Sequence, residues 1–185
     1  MDVLQAIHQR ASVGKVKSDP LPKELIEKLL AAAVQAPNHH KVRPWRFVVI
    51  TGEARSRLGD LMAENARQKK PDMPPEGLKA EHDKALRSPV VIAVGVDKPD
   101  NPKVLEIENI CAAAAAVQNL LLAAEALGLA AIWRTGPAAL DPVVKTFLGL
   151  QPDQHVIGLV YIGYAEIEQP APQRPGFEDR TTWLD

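Results

Sequence analysis

Cationic and polar side chains gather at two places in the first fifty residues. The stretch QAPNHHKVRPWRFVVI, residues 35–50, places two histidines, a lysine and an arginine directly before an apolar run. Arg10, Ser12 and Lys15 form the other group. A guanidinium beside a hydroxyl suits a phosphate, because it offers several directed donors. The same residues also fit a helix end, where Arg10 offsets the dipole and Ser12 caps a turn. Spacing alone favours this structural role.

Two further segments carry the same ambiguity. WRTG, residues 133–136, reads as the end of a strand followed by a turn. It also fits a backbone edge that lies over a planar ring. Arg174, near the end of the chain, is either a solvated side chain or a second ligand of the same phosphate.

Several classes of catalytic site are not supported by the sequence. Its histidines form no HxxxH or HExxH motif, and the single cysteine forms no Cys pair, so we expect no metal site. GxGxxG, GxxxxGK[ST] and GxSxG motifs are missing too, which argues against Rossmann, P-loop and α/β-hydrolase sites. The histidines are His8, His39, His40, His82 and His155.

Composition predicts a soluble, cytoplasmic domain. The 185 residues are 46% hydrophobic and carry a formal net charge of −1, which argues against nucleic acid as a partner. One cysteine, Cys111, cannot form an internal disulfide, and the first ten residues lack the apolar region of a signal peptide. Polar residues interrupt the longest apolar stretch, around 110–132, so we interpret it as a buried helix.

These groups must be positioned by alternating helices and strands, without repeats. The pattern predicts a single α/β or α+β layered domain over 1–185. A Pro-rich tail, 166–185, should wrap over the body or over another subunit. Helices are predicted near 2–10, 22–37, 53–70, 78–88, 104–127 and 139–150, and strands near 45–51, 89–97, 129–136 and 155–165.

The predicted helix over 104–127 is unusually long and alanine-rich. Five consecutive alanines, 112–116, allow another helix to approach closely on any face. Two arrangements remain open: a core helix within one chain, and a helix shared with a second chain. At its start, Cys111 is most simply a buried structural cysteine, since no partner for a nucleophilic role is evident.

Taken together, these segments resemble the nitroreductase family of FMN-dependent oxidoreductases, most closely its branch of small NAD(P)H nitroreductases of the YdjA type. The resemblance covers nearly the whole chain and depends on the order of its motifs. In order, these are RASV, APNHHKVRPWRFVVI, the alanine-rich helix, GLAAIWRTG, VIGLVYIGYA and a tail resembling P-x-R. It implies a nitroreductase-like α+β fold: a mixed β-sheet flanked by helices, a long central helix and an intertwined homodimer with two FMN molecules at its interface.

The resemblance also assigns roles to individual residues. Arg10, Ala11 and Ser12 match the segment that holds the FMN phosphate and ribityl oxygens. Gln35 and His39 match positions that approach the flavin from the partner subunit. The remaining matches are Trp133, Arg134 and Thr135 along the flavin ring, Arg174 at the phosphate, and 123–128 near the nicotinamide nucleotide.

Three positions depart from the family's pattern. Lys41 and Arg43 occupy positions where an asparagine and a glutamine are usual, and Gly14 replaces a second basic residue. Lys15 is displaced by one position. These changes alter the polar contacts expected around the flavin ring. Cationic side chains there, with Lys15, Lys41 and Arg43 as candidates, would stabilise negative charge on the ring.

The activity that the resemblance implies is ping-pong hydride transfer from NADH or NADPH, through FMN, to nitroaromatics, quinones or similar electron-poor compounds. FMN would carry the electron chemistry, and no catalytic side chain is required. Three alternatives remain: reductive dehalogenation or flavin fragmentation on the same fold, an FMN-binding module without NAD(P)H turnover, and a purely structural helical dimer.

Overall fold

A four-stranded antiparallel sheet forms the centre of the computed structural model, which describes residues 1–137, 141–167 and 170–184. The strands are β1 (Trp45–Ile50), β2 (Val90–Val96), β3 (Ala130–Arg134) and β4 (His155–Gly163). Their order across the sheet is β1-β2-β4-β3. All three strand pairs are antiparallel, so within the described residues of one chain the sheet is not mixed as predicted, and parallel pairing is limited there to an isolated bridge between Ser12 and Ala131.

Six α-helices are found in the described residues, and they cover the two faces of the sheet. They are α1 (Val3–Gln9), α2 (Lys23–Ala33), α3 (Glu53–Lys69), α4 (Pro75–Asp83), α5 (Glu106–Ala126) and α6 (Pro142–Phe147). One core layer packs α2 and α5 against the sheet, and the other packs α3 and α6 against its opposite face. Every side chain of β2 is buried, as expected of a strand covered on both sides.

Helix α5 lies against the sheet and against α2. It is long and apolar enough to span a membrane by length and composition alone. Its buried face, including Ala113, Val117 and Leu120, belongs to the core, so we interpret it as a core helix. The opposite face is uncovered within one chain, and Ile107 is 58% exposed. Cys111 lies on this uncovered face, so the prediction of a buried cysteine was wrong.

The predicted elements are all present, with shifted boundaries. The helix predicted over 78–88 begins earlier, because Pro74 and Pro75 start a helical turn. The helix predicted over 139–150 is described only as Pro142–Phe147, and the side chain of Asp141 caps it by accepting the Val143 N–H at 2.8 Å. Residues 139 and 140 of that prediction, and 168, 169 and 185 of the predicted tail, lie outside the described residues.

Candidate functional site

The segment that follows α1 is fixed against the sheet by backbone hydrogen bonds. Ser12 bridges Ala131 at the start of β3, and the Val13 N–H donates to the Ala131 carbonyl at 3.0 Å. Farther along, the Lys17 N–H donates to the Tyr164 carbonyl at 2.8 Å. Such bonds satisfy the backbone of a segment without its own regular structure. They hold Arg10, Ala11 and Ser12 next to the strand that ends in Trp133 and Arg134.

The tail brings a second guanidinium to this segment. Arg174 donates to the Arg10 carbonyl at 2.7 Å and to the His8 carbonyl at 3.4 Å. These contacts join residues more than 160 positions apart. Because a guanidinium has more N–H donors than these two bonds use, Arg174 can still bind an anion. The arrangement therefore places two arginines and the exposed Ser12 hydroxyl at one end of the chain's first helix.

Trp133, Arg134 and Thr135 line one side of a cavity of about 610 Å³. The Trp133 indole is fixed, because its Nε1 donates to the Ile157 carbonyl at 2.9 Å. Gly158 makes this possible: a Cβ there would lie 2.6 Å from the Trp133 Cδ1 and 2.7 Å from the Arg134 oxygen. Any larger residue at Gly158 would displace the indole.

Arg134 lies between the cavity and the segment after α1, which contains the residues predicted to bind phosphate. Its guanidinium lies over the Tyr161 ring, 5.9 Å from the centroid, in cation–π geometry. A Cβ at Gly14 would stand 3.1 Å from the Arg134 Nη2, so the loss of a side chain at Gly14 makes room for this arginine. Burial raises the pKa of the Tyr161 phenol, and the charges of Arg134 and Arg87 partly oppose this effect.

Residues that the sequence analysis missed complete the cavity. Lys84 and Arg87 come from the turn before β2, Tyr161 from β4, and Asn65 from α3. Asn65, Lys84 and Arg87 lie outside the motifs that carry the resemblance, whereas Tyr161 lies within VIGLVYIGYA but was not singled out. Lys84 and Arg87 follow a helix of mixed charge, which gives no local signal, and only the antiparallel pairing of the strands places Tyr161 beside Arg134.

Gln35 and His39 lie apart from this group. Gln35 follows α2 and donates to the Ala31 carbonyl at 3.4 Å, while the His39 ring lies 3.5 Å from the Glu108 carboxylate at the start of α5. Both are exposed. The structure therefore divides the predicted site residues into two sets. One comprises Arg10, Ala11, Ser12, Trp133, Arg134, Thr135 and Arg174, and the other comprises Gln35 and His39.

The loop that carries His39 has a strained backbone. His40, Lys41 and Arg43 have φ angles of 49°, 55° and 52°, in the left-handed region that side chains rarely adopt. Each such residue costs of order 1 kcal/mol or more, and such strain is concentrated at functional sites. A side-chain bond fixes the loop: the side-chain Oδ1 of Asn38 accepts the backbone N–H of Arg43 at 2.9 Å. The loop holds its cationic side chains exposed and outward.

A smaller cavity joins the end of α5 to the N-terminal segment. Its volume is about 380 Å³, and its walls include Ala11, Val13, Glu125 and Gly128. The predicted nucleotide region, 123–128, thus contributes to a surface that includes one of the predicted phosphate residues. Among the described residues, no group of three or more His, Cys, Asp or Glu side chains could hold a metal ion.

Known proteins share both the sequence and this arrangement of elements. The "Putative NAD(P)H nitroreductase YdjA" of Escherichia coli K12 is 30% identical over 169 residues, which is 91% of each chain. A nitroreductase-like family protein from Bacillus cereus superposes with a TM-score of 0.86 at 26% identity, covering 100% of this chain and 97% of that one. A structure from Desulfovibrio desulfuricans, described as a putative nitroreductase in complex with FMN, has a TM-score of 0.76 at 25% identity and covers 100% and 98%.

The match extends through both sets of site residues apart from Arg174. The model of the Nitroreductase family covers residues 7–164, from the end of α1 to the end of β4. It therefore includes the segment after α1, the strained loop and the cavity wall formed by β3. The chain belongs to the nitroreductase family, a family of oxidoreductases.

Proposed function

We propose that the protein is an FMN-dependent oxidoreductase that uses NADH or NADPH to reduce nitroaromatics, quinones or similar electron-poor compounds. The observation that carries this proposal is the approach of Arg174 to Arg10 beside the Ser12–Ala131 bridge. In this proposal the two arginines form a cationic phosphate site, and Arg134, whose Nη2 lies near Gly14, links that site to a cavity large enough for a planar ring. The names of the relatives, which refer to NAD(P)H and to FMN, support the same choice.

The donor set fits the flavin mononucleotide. Two guanidiniums and a hydroxyl match a phosphate, and the wall formed by Trp133, Arg134 and Thr135 offers a flat edge for the ring. When bound, FMN supplies hydride acceptance from NAD(P)H and transfer to the acceptor in ping-pong order. Nothing within 4 Å would meet a Cβ at Gly136, so the backbone after β3 is open to a ligand.

The chain's own residues would bind the phosphate of FMN, orient its ring and stabilise negative charge on that ring. Arg10, Ser12 and Arg174 hold the phosphate, and Ala11 presents backbone beside it. Arg134 places a positive charge between the phosphate end and the cavity, where it favours negative charge on a bound ring. Lys84, Lys15, Lys41 and Arg43 are further sources of positive charge, the last two through the loop of a partner chain.

A homodimer completes the proposed site. Gln35 and His39 are exposed, and their contacts are with Ala31 and Glu108 and not with the phosphate set, so in this proposal they serve the site of a partner. The exposed apolar faces of α1 and α5 supply the interface, with Val3 and Leu4 about two-thirds exposed at 66% and 65%. The tail adds further exposed apolar side chains, since Trp183 and Leu184 are 80% and 94% exposed. We propose that the tail lies over the partner subunit.

Anaerobic reduction tests the activity. Purified protein saturated with FMN should lose its flavin absorbance on addition of NADPH or NADH, and a nitroaromatic such as 4-nitrobenzamide should restore it. Steady oxidation of the dinucleotide should depend on the acceptor. A bound flavin that neither dinucleotide bleaches would contradict the proposal and favour a binding module.

A further inference from the structure

The cavity beside Trp133 is strongly cationic, although the whole chain is nearly neutral. Five cationic side chains and one carboxylate, that of Glu81, line it, which leaves a surplus of four positive charges. The formal net charge of the chain is −1. The surplus is therefore local to this cavity. The five cations are Lys69, Lys70, Lys84, Arg87 and Arg134.

These charges converge from three separate parts of the chain. Lys69 ends α3 and Lys70 follows it, Lys84 and Arg87 precede β2, and Arg134 ends β3. Favourable interaction with the C-terminal dipole of α3 accounts for Lys69 and Lys70 alone. It does not account for cations on two other segments that face the same space. A shared ligand of negative charge accounts for all of them.

The cations differ in how far the protein already neutralises them. Lys84 pairs with Glu81 at 2.5 Å, and Arg134 lies over the Tyr161 ring. Lys69 and Lys70 are exposed, and no ion pair involves either of them in the described part of the chain. Arg87 is likewise exposed and in no ion pair among the described residues, so these three cations are the ones most available to a molecule entering from solvent.

The rest of the wall is apolar and suits an aromatic body. Met62 and Met73 come from α3 and the loop after it, and Ile132 and Leu159 from β3 and β4. Flexible methionines and flat strand surfaces pack well against a planar ring. An apolar slot with a cationic mouth is complementary to an aromatic compound that carries an anionic substituent.

Building on the proposed function, we infer that this cavity selects electron acceptors that are aromatic and bear an anionic group such as a carboxylate. Lys69 and Lys70 meet that group at the mouth, and the acceptor's ring lies on the side of the methionines, in the part of the cavity that the flavin ring along Trp133, Arg134 and Thr135 leaves open. The positive potential also raises the rate at which such acceptors enter. Neutral acceptors of the same size use the slot without this advantage.

Paired acceptors test the inference. The FMN-loaded protein is assayed with NADPH and either 4-nitrobenzoate or the neutral 4-nitrobenzamide, and the ratio of their kcat/KM values is compared among variants. In K69Q/K70Q the ratio should fall about fivefold, because two surface charges are removed. The control K23Q/K28Q removes the same charge from exposed sites on α2 and should leave the ratio unchanged. In the unmodified protein, 0.5 M salt should lower kcat/KM for 4-nitrobenzoate only.

Each outcome separates the inference from the proposed function. If both acceptors are reduced and neither the double variant nor salt changes the ratio, the inference is wrong and the proposed function stands. If the variant instead raises the KM for NADPH, the lysines serve the donor's phosphates and the inference is wrong. If no acceptor is reduced, the proposed function fails, and calorimetric binding of 4-nitrobenzoate decides: about fivefold weaker binding to K69Q/K70Q supports the inference, and equal binding overturns it.

Discussion

Arg10 and Arg174, near the start and end of the chain, are the residues on which we propose that cofactor retention depends. Arg174 donates to the backbone carbonyl of Arg10, so its guanidinium lies beside the Arg10 backbone despite the separation of the two residues in sequence. From the sequence alone, Arg10 could simply offset a helix dipole and Arg174 could simply be solvated. Spacing within a sequence cannot show that a tail returns to the N-terminal segment, and the contact of Arg174 with that segment is what the structure adds.

Replacing Arg10 with alanine should weaken FMN binding more than it slows hydride transfer. A charge-assisted bond to phosphate is worth about 1.5–3 kcal/mol, so the Kd for FMN should rise about 10- to 100-fold. At saturating FMN, the rate of anaerobic bleaching by NADPH should change much less. R180A, which removes an exposed arginine from the same tail, is the control. Equal flavin content in R10A and the unmodified protein after gel filtration would contradict the prediction.

Tyr161 should ionise above the ordinary range of a phenol. Burial raises the pKa of Tyr161 in the folded protein, so the neutral phenol is favoured there. Its contribution to stability is full below the unfolded pKa, about 10, and is lost as pH rises through the higher folded pKa. The difference in phenolate absorbance between the unmodified protein and Y161F should appear only above about pH 10. A difference that titrates at or below that value would show that Arg134 and Arg87 outweigh burial.

At the scale of elements, periodicity and turn residues were enough to predict the strands and helices. Apolar runs such as that of β2 and the Asp141–Pro142 helix start are local signals, and the structure confirms both. The exposure of Cys111 was not predictable, because a helix rich in alanine has no clear apolar face. The packing of α5 against α2 and the sheet determines which of its sides is buried.

Gly128 ends α5 through its backbone conformation, and an alanine there should be costly. Its φ is +72°, and the N–H of Leu129 beyond it donates to the Ala124 carbonyl at 2.8 Å. G128A should lower the free energy of unfolding by about 1 kcal/mol, measured by urea denaturation. Gly136 is the matched control: open space surrounds both positions, but Gly136 lacks a positive φ. Equal stability of G128A and G136A would show that the left-handed cap is unimportant.

At the scale of the whole molecule, a single chain leaves several large apolar side chains exposed. The exposed side of α1 and the end of the tail carry large apolar side chains that nothing covers within the described chain. Exposed large apolar side chains in such number are typical of a chain that has an interface. Composition alone left the choice between a core helix and a shared helix open. The structure places one face of α5 in the core and leaves the other uncovered, which favours both roles at once.

Light scattering should therefore give twice the chain mass of 20.1 kDa in solution. L4E/I7E adds two charges to the exposed face of α1 and should shift the protein toward the monomer, because burying an unpaired charge at an interface is strongly unfavourable. FMN content should fall in parallel. V143E, on the exposed side of α6, is the control and should remain a dimer with its flavin. A monomeric unmodified protein that retains FMN would contradict the shared site.

The most direct test of the shared site is the flavin content of a mixed dimer. One chain carries R10A and the other carries Q35A/H39A, with different tags so that the mixed dimer can be isolated. Each variant alone should lose FMN on gel filtration. If each site combines Arg10 of one chain with Gln35 and His39 of the other, the mixed dimer contains one intact site and should retain about one FMN per dimer. If the mixed dimer retains none, or if Q35A/H39A alone keeps its full flavin, the site does not extend across two chains.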